Sequence, residues 1–205
     1  MKDPYQDEMT QIYNKHAEKY HAQVIDFEFP NGMYEKFLRE LSWKKILDIW
    51  CGFGREISKL RDSWYEAYGI EISENMISYA DKHIQQYITL WDITELDKHY
   101  SNNDFDGIIS CASLVHIDVS IWKEILRKVF ELLKKDWTLF LSLKVSEEEK
   151  TIFKNSLSIP WGGKKYVYYK VSDIENFLKK IWFKLLHKHS WTPVEDTWNI
   201  YICKK

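Results

Sequence analysis

Three acids stand where short apolar runs end: Asp48, Glu71 and Asp92. Asp48 lies in Ile46-Leu47-Asp48-Ile49, which breaks at once into Trp50-Cys51-Gly52-Phe53-Gly54-Arg55. A continuous apolar run of this length reads as a buried parallel strand. Glycines after it let the backbone pass close to a ligand, and the helix that follows presents unpaired N–H groups. Strand, glycine turn and helix together make a nucleotide-cofactor site at the carboxyl end of a first strand. Glu71 follows the turn by about 20 residues, the spacing that suits a ribose diol, because one carboxylate accepts from two neighbouring hydroxyls. His116 is the candidate base, since histidine titrates near neutrality, with Asp118 close in sequence to orient it.

Two kinds of cofactor use a glycine turn with a downstream acid. A dinucleotide site needs Gly-x-Gly-x-x-Gly, and the third glycine position is Arg55, which argues against an NAD-linked oxidoreductase. Asp48 to Gly54 instead resembles the first motif of the class I S-adenosylmethionine-dependent methyltransferases, Asp-x-Gly-Cys-Gly-x-Gly, with Trp50 in place of the first glycine. Glu71-Ile72-Ser73 is similar to the acid-x-Ser step of that family, and Phe105-Asp106-Gly107-Ile108 to its Phe-Asp-x-Ile strand. The resemblance implies S-adenosylmethionine as cofactor. It would be cradled by Asp48, Trp50, Cys51, Gly52 and Gly54, with Glu71 on the ribose and Ile72 and Met76 beside it. Asp92 would meet the adenine amine and Ile93 the ring, Cys111 would meet the methyl end, and Tyr13 and Tyr20 resemble tyrosines that line the methionine end.

The implied reaction is methyl transfer to a small-molecule acceptor by direct in-line displacement. Holding the acceptor in line supplies much of the rate, and a base is needed only when the acceptor loses a proton. His116 is the residue for that task; Lys144 and Tyr169 are further pocket candidates. The Asn-Pro-Pro-Tyr motif of base-amine methyltransferases and the Pro-Cys pair of cytosine methyltransferases are missing after the fourth apolar run, so no nucleic-acid acceptor is expected. Leu114-Val115-His116-Ile117 and Ser142-Leu143-Lys144 are similar to small bacterial methyltransferases of the tellurite-resistance-like type. That likeness carries a family label and no substrate. The alternative is a binder of S-adenosylmethionine without turnover, because an indole at position 50 crowds the cofactor turn.

Composition sets the frame. The 205 residues carry 29 Lys plus Arg against 31 Asp plus Glu, with no basic footprint for nucleic acid. Cys51, Cys111 and Cys203 lack paired spacing, which fits reduced thiols in the cytoplasm and no metal site. The polar start reads as no signal peptide, and no apolar run reaches the roughly 20 residues of a membrane helix. Oligomeric state is not written in the sequence. Glycine numbers only 7 while tryptophan numbers 10. The two together approach ordinary glycine usage of about 7%. Trp50, Trp137 and Trp182 stand where the family has glycine, and Trp43 and Trp64 sit in short turns before strands. This pattern is expected if the gene's UGA codons mean glycine and have been read as tryptophan. Trp122 and Trp198 sit in helix and strand contexts and read as genuine.

The expected fold is one α/β domain over 1–205: a Rossmann-like, seven-stranded, mostly parallel sheet with a C-terminal antiparallel hairpin and helices on both faces. Residues 1–42 form an N-terminal helical cover, and 146–170 an insertion whose aromatic run serves as an edge strand or lid. Strands are expected near 44–49, 65–70, 87–90, 105–111, 138–145, 183–187 and 199–202. Helices are expected near 9–22, 32–41, 54–61, 73–84, from 120, and 173–180.

Overall fold

A computed structural model describes residues 6–41, 45–155 and 163–205. Trp43, Lys44, Pro160 and Gly162 lie outside the described residues, as do the first residues of the polar start.

Five parallel strands form the body of the sheet: β1 (Lys45–Ile49), β2 (Glu66–Glu71), β3 (Ile88–Leu90), β4 (Phe105–Cys111) and β5 (Leu133–Ser146). Their spatial order is β3-β2-β1-β4-β5. Two late strands, β8 (Lys184–Trp191) and β9 (Trp198–Lys204), pair antiparallel, and β9 lies antiparallel to β5 from Thr138↔Lys204 to Lys144↔Trp198. These are the seven expected strands. Two more come from the segment read as an insertion: β6 (Lys150–Lys154) and β7 (Lys164–Lys170) form a hairpin, and β7 continues the sheet beside the end of β5. The aromatic run Tyr166-Val167-Tyr168-Tyr169 is therefore a sheet strand with one face toward the cleft described below.

Alternate side chains of each strand feed two cores, as the period of a strand requires. Leu47, Ile49, Leu139, Leu141 and Leu143 pack with α7 (Trp122–Leu132) and α8 (Val171–Lys180). Ile46, Ile109 and Phe140 pack on the other face with α1 (Gln6–Val24), α2 (Met33–Arg39) and α3 (Arg55–Asp62). Each fully buried aliphatic side chain contributes about 1.5–3 kcal/mol. The expected 73–84 helix is two short ones, α4 (Glu74–Ser78) and α5 (Lys82–Gln85), parted where Tyr79 and Ala80 turn back onto Met76 and Ile77. Of two serines that the sequence offers as helix N-caps, Ser73 caps α4, accepting from the Met76 N–H, whereas Ser120 does not cap α7; its own N–H and hydroxyl donate to Asp118. Among the described residues no helix is long and apolar enough to cross a membrane.

Three tryptophans adopt left-handed backbone: Trp50 at φ 55°, Trp64 at φ 65° and Trp182 at φ 72°. Helix α3 closes with Tyr65 N–H donating to Leu60 C=O and Trp64 N–H to Arg61 C=O. Helix α8 closes with the same pair, Phe183 to Leu178 and Trp182 to Lys179. This is the Schellman motif, whose left-handed position is ordinarily glycine. Both indoles there are 83% exposed, so nothing packs to offset the strain. Near Trp137 the left-handed residue is its neighbour Asp136, at φ 67°. Trp122, by contrast, is buried at 1% exposure, edge-on to Tyr169 and Phe177.

Candidate active site

The carboxyl ends of β1, β2 and β4 open into one cleft of about 850 Å³, roofed by α1 and walled at its far end by β5, β7 and the β8–β9 connection. Asp48, Trp50, Cys51, Gly52, Glu71, Ile72, Met76, Cys111 and His116 line it. Gly54, Asp92 and Ile93 do not. Gly54 stands before α3 at φ 73°, Ile93 is wholly buried in the core, and the Asp92 carboxylate accepts from Thr94 N–H and hydroxyl. Asp92 thus caps a short 3-10 turn, and the structure does not bring it together with Asp48 and Glu71.

Glu71 builds the first half of the cleft. Its Oε2 accepts from Gly52 N–H at 2.8 Å and its Oε1 from Ser73 N–H at 2.9 Å, tying the glycine turn to the start of α4. Burial pushes its pKa up, against the pull of those N–H donors. Gly52 holds φ 60°, and a Cβ there would come within 3.2 Å of Met76. Gly69 lets the turn lie flat on β2, since a Cβ would meet Ile57 at 2.4 Å and the Cys51 sulfur at 2.5 Å. Asp48 is 2% exposed, and its Oδ1 is buried with no hydrogen-bond partner. Burial, then the neighbouring Glu56, push its pKa well up. A buried, unmet carboxylate oxygen facing a cleft is costly unless a donor arrives. Trp50 forms one wall, its buried Nε1 also unpaired.

The second half of the cleft is different. The His116 Nδ1 lies 2.8 Å from Lys165 C=O; a carbonyl only accepts, so Nδ1 carries the proton. Its Nε2 then accepts from Tyr13 hydroxyl at 3.0 Å, and Tyr13 Oη accepts from Lys164 Nζ at 3.0 Å. Burial, then Lys164, push His116 down to about 3, so it is a neutral acceptor already in use. Asp118 does not orient this ring: its carboxylate takes Lys165 Nζ at 2.7 Å, and the ring nitrogens bond Tyr13 and Lys165 instead. Tyr169 is outside the cleft, its hydroxyl donating to Leu114 C=O. Tyr13, Tyr20 and Lys144 do line the cleft.

The sequence places the loop Cys111 to His116 at the methyl end, and its residues other than Leu114 do line the cleft, whereas sequence reasoning missed Lys164 and Asp196. Ala112 leaves β4 in left-handed backbone at φ 56°, and nothing in its residue type announces that. Asp196 gathers Lys144 at 2.6 Å, Lys154 at 2.6 Å and the Tyr168 hydroxyl at 2.7 Å. Burial works against its ionisation, yet the hydrogen bonds from those lysines hold it down at about 2.

Residues 46–136 match the family profile described as a methyltransferase domain. The fold and that segment are built as in the class I S-adenosylmethionine-dependent methyltransferases, a Rossmann-like sheet with a closing antiparallel hairpin. Among curated relatives, a protein of Geobacillus sp. (strain WCH70), assigned as a methyltransferase by name alone, is 29% identical over 121 residues, covering 56% of this chain and 48% of its own length. The match thus spans about half of that relative. Among solved structures, the 1,6-didemethyltoxoflavin-N1-methyltransferase of Burkholderia thailandensis, with 1,6-didemethyltoxoflavin and S-adenosylhomocysteine bound, superposes with a TM-score of 0.72 at 14% identity, over 100% of this chain and 91% of that one. The magnesium protoporphyrin IX methyltransferase of Synechocystis PCC 6803, with bound S-adenosylmethionine, gives 0.71 at 14% identity, over 98% and 96%.

Proposed function

We propose that the protein is an S-adenosylmethionine-dependent methyltransferase acting on a small molecule. The observation that carries this is the unmet, buried Oδ1 of Asp48 facing the cleft beside Glu71 and the Gly52 turn. An amino-acid ammonium supplies the donor that Asp48 lacks. The Glu71 oxygens, each holding one N–H, retain lone pairs for ribose hydroxyls. When bound, the cofactor supplies an electrophilic methyl on a sulfonium. The chain's own part is to hold donor and acceptor in line and to exclude water: Met76, Cys51 and Cys111 line the cleft with weakly polar surface, and Tyr13 and Tyr20 close it from α1. Such a site needs no metal. A cytoplasmic location and an acceptor other than nucleic acid belong to the same reading.

Titration of the protein with S-adenosylhomocysteine tests it. Asp48→Ala and Glu71→Ala each lower affinity at least tenfold, about 1.4 kcal/mol. Equal affinity in both variants refutes the assignment.

The tryptophans of the turns belong to this reading. Left-handed backbone at a bulky residue costs on the order of 1–3 kcal/mol, and three tryptophans bear it, two of them at Schellman positions. We infer that Trp50, Trp64 and Trp182 are glycines in the protein its own cell makes, through UGA codons. UGG at those codons ends that idea. A chain with a real indole at position 50 is instead a poor binder without turnover, and Trp50→Gly separates the two by restoring affinity.

A further inference from the structure

Lys164 is 1% exposed, lines the cleft, and has no carboxylate within ion-pair distance among the described residues. An ammonium carries three donors, and the only hydrogen-bond acceptor its Nζ meets among the described residues is Tyr13 Oη at 3.0 Å, with the Tyr13 and Tyr20 rings at 4.2 and 5.3 Å. Burying such a group without a counter-ion is expensive. Lys144, 3% exposed, faces the same space from β5. Lys164, Tyr166 and Tyr168 share one face of β7, as alternate strand residues do. The Lys144 Nζ lies against that face, 3.6 Å from the Tyr166 ring centre and 5.5 Å from that of Tyr168.

The balance of charge at this end is positive. Lys144, Lys154 and Lys164 line it against Asp196, whose two oxygens already take Lys144, Lys154 and Tyr168. Glu195 sits at the exposed rim. Burial, then Lys144, hold the Lys164 amine down at about 7, so a negative group placed between the two lysines relieves both their repulsion and the missing counter-ion. Trp191 and Trp198, with ring centres 5.8 Å apart, and Tyr166 supply apolar wall beside it.

We propose that Lys164, with Lys144, seats an oxyanion of the acceptor, so that the methyl acceptor is a carboxylate- or phosphate-bearing small molecule. This rests on the methyltransferase reading and names the substrate class of the same cleft. The group bound is the anionic handle of the acceptor, which orients it; no bond to that group forms or breaks in the proposal.

The test is calorimetric titration of protein saturated with S-adenosylhomocysteine, using benzoate and inorganic phosphate as oxyanion probes and benzamide as the uncharged counterpart of benzoate. At least one oxyanion binds and benzamide does not. Lys164→Met weakens the oxyanion at least tenfold, Lys164→Arg keeps it, and Lys144→Met gives a loss by a second route that leaves Asp196 paired with Lys154. Absence of binding by both oxyanions, equal binding of benzamide, or an unchanged Lys164→Met each overturns the proposal. So does a tenfold loss of S-adenosylhomocysteine affinity in Lys164→Met, which assigns the lysine to the nucleotide's own carboxylate. If neither the wild-type protein nor Trp50→Gly binds S-adenosylhomocysteine, the methyltransferase reading fails, and the same oxyanion titration without nucleotide still decides the role of Lys164.

Discussion

The two ends of the cleft are made in opposite ways. The end at β1 and β2 is acidic and local: Asp48, Gly52 and Glu71 lie within one strand–turn–helix–strand unit, and backbone N–H groups fix the Glu71 carboxylate. The far end is basic and assembled from distance: Tyr13, His116, Lys144, Lys164 and Asp196 come from five separate parts of the chain. A unit whose parts are neighbours in sequence keeps its geometry through the turn itself. An end assembled from five segments depends on the register of β5, β7 and β9, and that is where related folds are free to differ in what they accept.

That contrast is open to attack in order of size. The largest effect is on stability against pH at the basic end. An unfolded lysine keeps its proton to about 10.4, whereas folded Lys164 releases it near about 7. Between those values the unfolded chain binds more protons, so stability rises with pH, by up to about 1.4 kcal/mol per pH unit. The groups facing Lys164 are Tyr13, Tyr20 and His16 on α1, His116, Lys144 and Tyr166. Urea unfolding from pH 7 to 10 shows that rise in the wild type and its loss in Lys164→Met; parallel curves break the contrast.

Next is Trp50→Gly at the acidic end. It removes strain of about 1–3 kcal/mol and raises S-adenosylhomocysteine affinity at least tenfold, with no change for an oxyanion at Lys164. A crossed pair of variants then sharpens the division. Asp48→Ala weakens the nucleotide about tenfold, or 1.4 kcal/mol, and spares the oxyanion, and Lys164→Met does the reverse; loss of both ligands in either variant means one merged site. The smallest effects lie away from the cleft. Trp64→Gly and Trp182→Gly each stabilise by about 1 kcal/mol, seen as a melting shift of about 2–4 °C, and touch neither ligand.

The acidic end was legible because its residues are contiguous and the chemistry needs few residue types: the glycine turn, Glu71 and the β4 strand stand where the sequence puts them. Asp92 stands apart from Asp48 and Glu71, because an acid after a short strand equally suits a cap, and Thr94 two residues on supplies the partner. The 73–84 helix was over-read because its apolar spacing runs on through Ala80 and Ile84 although the backbone breaks between them. Lys164 was illegible: one lysine after two glycines carries no periodicity, and its burial depends on β7 docking at the end of β5. The tryptophans were legible for a different reason. Their side chains fit nothing at two of the sites, while the backbone there needs the freedom of glycine.

Cys51 and Cys111 line the same cleft, both free, and burial pushes both thiols well above their usual range. Sulfur attacks as the thiolate, and these stay protonated. On the methyltransferase reading proposed above, an alkylating cofactor would lie beside two soft nucleophiles, and the dryness of their surroundings keeps both dormant, sparing the protein from modifying itself.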